Sequence, residues 1–250
     1  MEFAGKRALV TGASRGIGAG VARMLADQGA AIAVHYNHSA SAAAEVLSSL
    51  SGSGHALVQA DLSQRDAARA MVDAAVDALG GLDILINNAG IYTEHPVLSA
   101  DYDDWKAQWD AIIQTNLVAA ADSIYWAVRV MEDGGAVVNV SSRGAFRGEP
   151  FSPAYGASKA GMNSMGQSLA VALAPRRIHV ISVAPGWVDT DMATEHMDGP
   201  AGDAIRGQSP YGRVATVEEV AYAVVFAASD KAKFMTGAIL DINGASYLRT

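Results

Sequence analysis

Seven short apolar runs, each followed by a longer stretch with helical spacing, constrain this chain more than any other feature. They read RALVT, AIAVHY, HALVQA, LDILINNAG, AVVNVSS, IHVISVAPG and GAILDING. Between them, helical patterns cover Gly16–Gln28, Ser41–Leu50, Arg65–Leu79, Tyr102–Met131, Ala154–Ala174 and Val217–Ser229. Strands that are apolar throughout must be covered on both faces, which the intervening helices do if the strands run parallel. Right-handed crossovers then give an α/β fold, a doubly wound seven-stranded parallel sheet with helices on both faces. In such a sheet, ligands bind beyond the carboxyl ends of the strands. No proline-rich linker, charge block or repeat interrupts the pattern, so one domain over residues 1–250 is expected. The least regular segment, about 187–212, follows the sixth strand and reads as a cover over the substrate.

Composition narrows the partners. The 26 acidic and 18 basic side chains leave a net charge of −8, which argues against nucleic acid and against an anionic membrane surface. Without cysteine there are no disulfides, thiolate metal sites or thiol nucleophiles. The start, MEFAGKRALVTG, has no apolar leader, and no run of 18 apolar residues occurs; a cytoplasmic protein is expected. His35, His55 and His179 fall on separate strands, and no metal is expected.

Two local motifs carry chemistry. TGASRGIG closes the first strand with Gly12, Gly16 and Gly18 opening a helix, so the backbone can approach a pyrophosphate while free amides at the helix start receive its charge. Its spacing differs from the common Gly-x-Gly-x-x-Gly fingerprint. After the second strand, VHYNHSAS holds no carboxylate, and Arg15 lies in the glycine turn; NADP(H) is therefore preferred over NAD(H). Asn37, His38 and Ser39 would add hydrogen bonds there. Asp61, ending the third strand, either faces the adenine amine or caps the next helix. The second motif, SPAYGASKAG, puts Tyr155 and Lys159 four apart, on one helical face. The lysine charge would favour the ionised phenol and make Tyr155 a better proton carrier at neutral pH.

Taken in order, TGASRGIG, Asp61–Leu62, NNAG at Asn87–Gly90, Asn116, Ser142, Tyr155-x-x-x-Lys159 and PGWVDT at Pro185–Thr190 resemble the short-chain dehydrogenase/reductase family, over essentially Lys6 to Gly244. The resemblance implies a Rossmann-type sheet and a catalytic set of Asn116, Ser142, Tyr155 and Lys159. Tyr155 would exchange a proton with the carbonyl oxygen as hydride moves. Ser142 would bond the same oxygen, Lys159 would hold the nicotinamide ribose and lower the tyrosine's pKa, and Asn116 would hold a water that feeds protons toward Lys159. Ser142 is preferred to Ser141, which points to the opposite face if the strand persists. The implied cofactor contacts are Gly12, Ser14, Arg15, Gly16, Ile17, Gly18, Tyr36, Asn37, His38, Ser39, Asp61, Leu62, Asn88, Ala89, Gly90, Tyr155, Lys159, Pro185, Gly186, Val188 and Thr190. Among these, Asn88 either touches the ligand or stabilises the sheet.

The substrate pocket should draw on Tyr92, Arg143, Phe146, Phe151, Trp187 and Met192, an apolar wall suited to a ketone of some bulk. Arg143 and Arg147 either meet an acidic substituent or are exposed cations. The chain looks closest to the beta-ketoacyl reductase branch, whose substrates ride on an acidic acyl carrier protein. Here Glu132 and Asp133 adjoin Arg129, only Arg176–Arg177 offers another compact cationic spot, and the net charge would repel such a carrier. A broader NADP(H)-dependent oxidoreductase of ketones and secondary alcohols is therefore placed first, with carrier-bound 3-oxoacyl reduction as the alternative. A non-catalytic nucleotide sensor is the reading of another class. The resemblance also implies a homo-oligomer, tetramer or dimer. The tail INGASYLRT either covers a neighbouring subunit's site or frays.

Overall fold

The computed structural model describes residues 1–249, apart from the side chains of Met192, Glu195 and His196. In chain order the elements are β1 (Arg7–Val10), α1 (Gly16–Asp27), β2 (Ala31–Tyr36), α2 (Ala40–Ser48), β3 (Ala56–Gln59), α3 (Ala67–Leu79), β4 (Ile84–Asn87), α4 (Tyr102–Ile113), α5 (Ala119–Val130), β5 (Ala136–Val140), α6 (Gly144–Arg147), α7 (Pro153–Leu173), β6 (His179–Pro185), α8 (Asp191–Asp198), α9 (Gly202–Arg206), α10 (Val217–Ala228) and β7 (Ile239–Ile242). All seven strands pair in parallel, in the order β3-β2-β1-β4-β5-β6-β7. The expected sheet is thus the observed one.

The pleat explains why the strands read as apolar throughout. On β1, Ala8 and Val10 face a core closed by α1, α2 and α10, while Leu9 faces a second core closed by α3, α5 and α7. Every one of these β1 side chains is fully buried, and a residue such as Leu9 contributes about 1.5–3 kcal/mol by leaving water. Local chemistry sets the helix ends. Thr216 and Glu219 form a reciprocal capping box at the start of α10, with the Thr216 hydroxyl accepting from the Glu219 amide at 3.2 Å and the Glu219 carboxylate accepting from the Thr216 amide at 2.8 Å. At the start of α7, Pro153 has no N–H to satisfy, and the next free amide, of Ala154, donates to Nε2 of buried His95 at 3.3 Å.

Three regions depart from the sequence reading. The stretch 102–131 is a continuous helical run, but residues Gln114–Val118 widen into a π-turn between α4 and α5. Segment 187–212 is more ordered than its glycines and prolines suggest: it contains α8 and α9, where Ala193, Met197 and Ile205 bury one another against Trp187 and Val214. The C-terminal tail packs on its own chain. Ser246 accepts from Arg143 Nη1 at 2.5 Å, and Arg249 pairs with Asp241 while lying 4.2 Å over the Phe146 ring. Among the described residues no helix is long and apolar enough to cross a membrane.

Candidate active site

Between β1 and β4 the strand order reverses, and a cavity of about 630 Å³ opens at the carboxyl ends of the strands. Thr11, just past β1, ties the two sides of the switch point together. Its hydroxyl accepts the amides of Asn88 and Ala89, both at 2.9 Å, and donates to the Ile86 carbonyl at 3.2 Å. Asn88 returns the strap through its amide, which donates to the carbonyls of Thr11 at 2.9 Å and Gly12 at 3.0 Å. Of its two expected roles, its side chain therefore takes the structural one, although the residue still lines the cavity.

The glycines answer to space and dihedral angle. Gly12 has φ of 63°, and a Cβ there would stand 2.9 Å from the Ala89 backbone. Gly18 does not reach the cavity; a Cβ on it would meet the Gly12 carbonyl at 2.4 Å, so its absence lets α1 press against the turn. Arg15 caps α1 through its backbone with no side-chain bond to the first-turn amides, which leaves them directed at the crevice with Arg15 exposed beside them.

Ser14, Gly16, Ile17, Tyr36, Asn37, His38, Ser39, Asp61, Leu62, Ala89, Gly90, Pro185, Gly186, Val188 and Thr190 line the same cavity. Asp61 is held within its loop: Asn37 Nδ2 donates to it at 3.1 Å, and Ser63 donates through its amide at 3.0 Å and its hydroxyl at 2.7 Å. The Ser63 bonds keep its carboxyl below the usual range. Beneath this end lies His35, 2 % exposed, whose Nδ1 accepts the Gly12 amide at 3.0 Å while Nε2 lies 3.1 Å from the Ala60 carbonyl. Burial lowers its pKa to about 4, so the ring is neutral and joins the glycine turn to the end of β3.

At the other end, Ser142, Tyr155 and Lys159 line the cavity together. The Ser142 hydroxyl accepts the Gly144 amide at 3.0 Å, whereas Ser141 turns inward to donate to the Lys159 carbonyl at 3.3 Å. Lys159 is buried, donates from Nζ to the Val140 carbonyl at 2.8 Å, and lies 5.8 Å from the Tyr155 ring centre. Burial brings its pKa down to about 8. The net shift of the Tyr155 phenol is upward rather than the expected lowering, and Lys159 is not among its causes. Desolvation raises the Tyr155 phenol's pKa and outweighs the opposing Ser142 bond, and nearby Glu149 adds to the rise.

Asn116 lies behind the cavity, fully buried in the π-turn. Its Nδ2 donates to the Ile91 carbonyl at 2.9 Å and its Oδ1 accepts the Ile91 amide at 2.8 Å. Those bonds cross to the loop after β4 and clamp the floor next to Lys159; they are not local to the helix. Widening the turn is what frees this side chain to reach across.

The expected substrate wall is only half present. Tyr92 packs edge-on against Tyr155 with ring centres 5.2 Å apart, and Trp187 lines the cavity. Arg143 also lines it but is buried and held, donating to Ser246 and, at 2.9 Å, to Gln208 Oε1; it is not an exposed cation. Phe146 and Phe151 are not part of the wall: the first stacks under Arg249, and the second is 57 % exposed on the far side of its loop. The Met192 side chain falls outside the described residues. Sequence reasoning passed over His35, Ser63, Ala111, Thr115 and Val140, all of which line the cavity, whereas Ile91 and Glu149 fall within the stretches 91–96 and 143–151 expected to form the pocket.

A family model described as enoyl-(acyl carrier protein) reductase matches residues 12–245. The 3-oxoacyl-[acyl-carrier-protein] reductase of Staphylococcus aureus is 36% identical over 247 residues, covering 97% of this chain and 98% of its own. Among solved structures, a short-chain dehydrogenase from Burkholderia cenocepacia in complex with NADP superposes with a TM-score of 0.90 at 37% identity, covering 98% and 99% of the two chains. A blue fluorescent protein from a metagenomic library, in complex with NADPH, gives 0.91 at 33% identity, covering 99% and 100%. Together with the sheet order, the glycine turn and the Ser142, Tyr155 and Lys159 cluster, these likenesses over nearly the whole length show that the chain belongs to the short-chain dehydrogenase/reductase family of oxidoreductases.

Proposed function

We propose that this protein is an NADP(H)-preferring oxidoreductase that interconverts a small-molecule ketone and its secondary alcohol, with Tyr155 as the general acid and base. The observation that carries the reading is the single crevice holding the glycine turn at one end and Ser142, Tyr155 and Lys159 at the other. The crevice fits a dinucleotide. Gly12 and Gly16 give the backbone room, the first-turn amides of α1 suit a pyrophosphate, and no carboxylate between Tyr36 and Ser39 opposes a 2′-phosphate near exposed Arg15. When bound, the nicotinamide supplies or accepts the hydride.

The chain's own residues handle the proton and the geometry. The raised pKa of Tyr155 keeps its phenol protonated at neutral pH, the form that gives a proton to a carbonyl oxygen. Ser142, with a lone pair engaged by the Gly144 amide, presents its hydroxyl toward the same oxygen. Lys159 places a cationic ammonium beside the ring, and Asn116 fixes the Ile91 backbone that floors the site. Segment 187–212 covers the substrate, and residues 1–250 act as one catalytic unit.

The names of the relatives describe reduction of different bonds, C=C for an enoyl group and C=O for a 3-oxoacyl group, so hydride transfer is what they share. A Ser–Tyr pair directed at one oxygen favours C=O. Carrier-bound 3-oxoacyl reduction is the second reading, supported by the Staphylococcus relative. Against it, Asp133 lies 3.3 Å from Arg176 and 3.7 Å from Arg177, which neutralises the cationic spot an acidic carrier would need. We also place the protein in the cytoplasm as a homo-oligomer, a tetramer or dimer. Val171 and Phe234, at 78 % and 104 % exposure, leave apolar surface for a second copy. A sedimentation mass of a single chain at micromolar concentration overturns that.

The central test follows NADPH consumption, with NADH alongside, on a small beta-ketoacyl thioester without carrier and on simple ketones. Tyr155→Phe should cut turnover by roughly 10²–10⁴ while NADPH still binds. Turnover unchanged in the variant refutes the mechanism, and NADPH binding without turnover of any carbonyl in the wild type favours the sensor reading.

A further inference from the structure

Glu149 is the one carboxylate on the loop between Ser142 and Tyr155, and it lines the cavity near Tyr92 and Tyr155. Its position is built into the backbone. A Cβ on Gly144 would fall 2.5 Å from Glu149 Oε1, and a Cβ on Gly156 would fall 3.7 Å from Glu149 Cβ. Two glycines, one opening α6 and one in the first turn of α7, thus leave the room that this side chain fills. The two nearby cations are occupied elsewhere. Arg143 donates to Ser246 and Gln208, and Arg147 donates to the same Gln208 Oε1 at 3.0 Å. Neither forms an ion pair with Glu149, and among the described residues no hydrogen bond reaches its carboxylate. A partly buried carboxylate without a donor is costly, and it is stabilised by whichever ligand group brings one.

We propose that Glu149 determines substrate specificity: it accepts a hydrogen bond from an ammonium or hydroxyl group carried near the reacting carbonyl, and it disfavours substrates with a carboxylate there. The inference rests on the cavity's assignment as the ketone site. It turns the expected apolar wall into a polar one at a defined point and separates substrates by charge rather than bulk. Discrimination of this kind is strong, because the wrong partner leaves a desolvated charge unpaired or facing a like charge.

The test uses acetophenones that carry a methyl, an aminomethyl or a carboxylate group at the meta position, with NADPH at neutral pH. The wild type should favour the aminomethyl over the carboxylate compound by roughly tenfold or more in kcat/KM. Glu149→Gln should erase most of that ratio, which is read within each protein so that any change in overall rate through Tyr155 cancels. The same ranking in both proteins overturns the proposal. Binding of the three compounds to the NADPH-loaded protein, read from the nucleotide's fluorescence, gives the ranking independently of turnover. A charge preference in binding that Glu149→Gln removes, with no turnover of any compound, supports the role of Glu149 and counts against the ketone reading; equal binding of all three overturns the role itself.

Discussion

Replacing His35 by glutamine isolates one buried ring that links the nucleotide turn to the neighbouring strands. In the folded chain its Nδ1 accepts from Gly12 and its Nε2 faces the Ala60 carbonyl, so Nε2 carries the single proton. A second proton would set an N–H against the Gly12 N–H. The folded ring therefore stays neutral down to about pH 4, against an ordinary value of 6.5. Between these values the unfolded chain binds more protons than the folded one, so stability falls as pH drops. The contribution is complete above 6.5 and gone below about 4. The full shift corresponds to about 3 kcal/mol, of which about 2 kcal/mol should be lost between pH 7 and pH 5. Glutamine can accept from Gly12 and donate to Ala60 without titrating. Urea unfolding of both proteins at the two pH values is the assay, and the wild type should lose about 2 kcal/mol more than His35→Gln. Equal losses would show that His35 is not held neutral by this bonding.

Two further outcomes follow from the same geometry. Gly18→Ala puts a methyl 2.4 Å from the Gly12 carbonyl and 2.5 Å from Asn88 Nδ2, so the turn must shift; thermal melts should show a loss of about 1–3 kcal/mol, with weaker NADPH binding. Lys159, with its pKa at about 8 against 10.5, makes the wild type gain stability as pH rises through that window, because the unfolded chain holds the proton longer. Lys159→Met should lack this rise in melts recorded at neutral and alkaline pH, and an identical rise in both would refute the assignment.

The strands and most helix ends were legible in the chain because each rests on local pattern: a two-residue pleat buried on both faces, a capping box at Thr216, a proline at the first position of α7. The order of the motifs also brought Ser142, Tyr155 and Lys159 to one crevice, since strand ends and one helical turn are short-range geometry. What the sequence did not reveal depends on contacts between distant segments. Phe146 and Phe151 look like pocket residues by type, yet the tail's Arg249 claims one and solvent the other. Arg143 reads as a free cation until Gln208 and Ser246 arrive from 65 and 103 residues away. The direction of the Tyr155 shift turns on burial, which periodicity cannot weigh against a neighbouring charge. The amino-acid sequence by itself determined the sheet, the nucleotide turn and the reaction class. Only the tertiary structure decided which charges face the substrate, because desolvation and competition for hydrogen-bond partners are settled by what packs against each group.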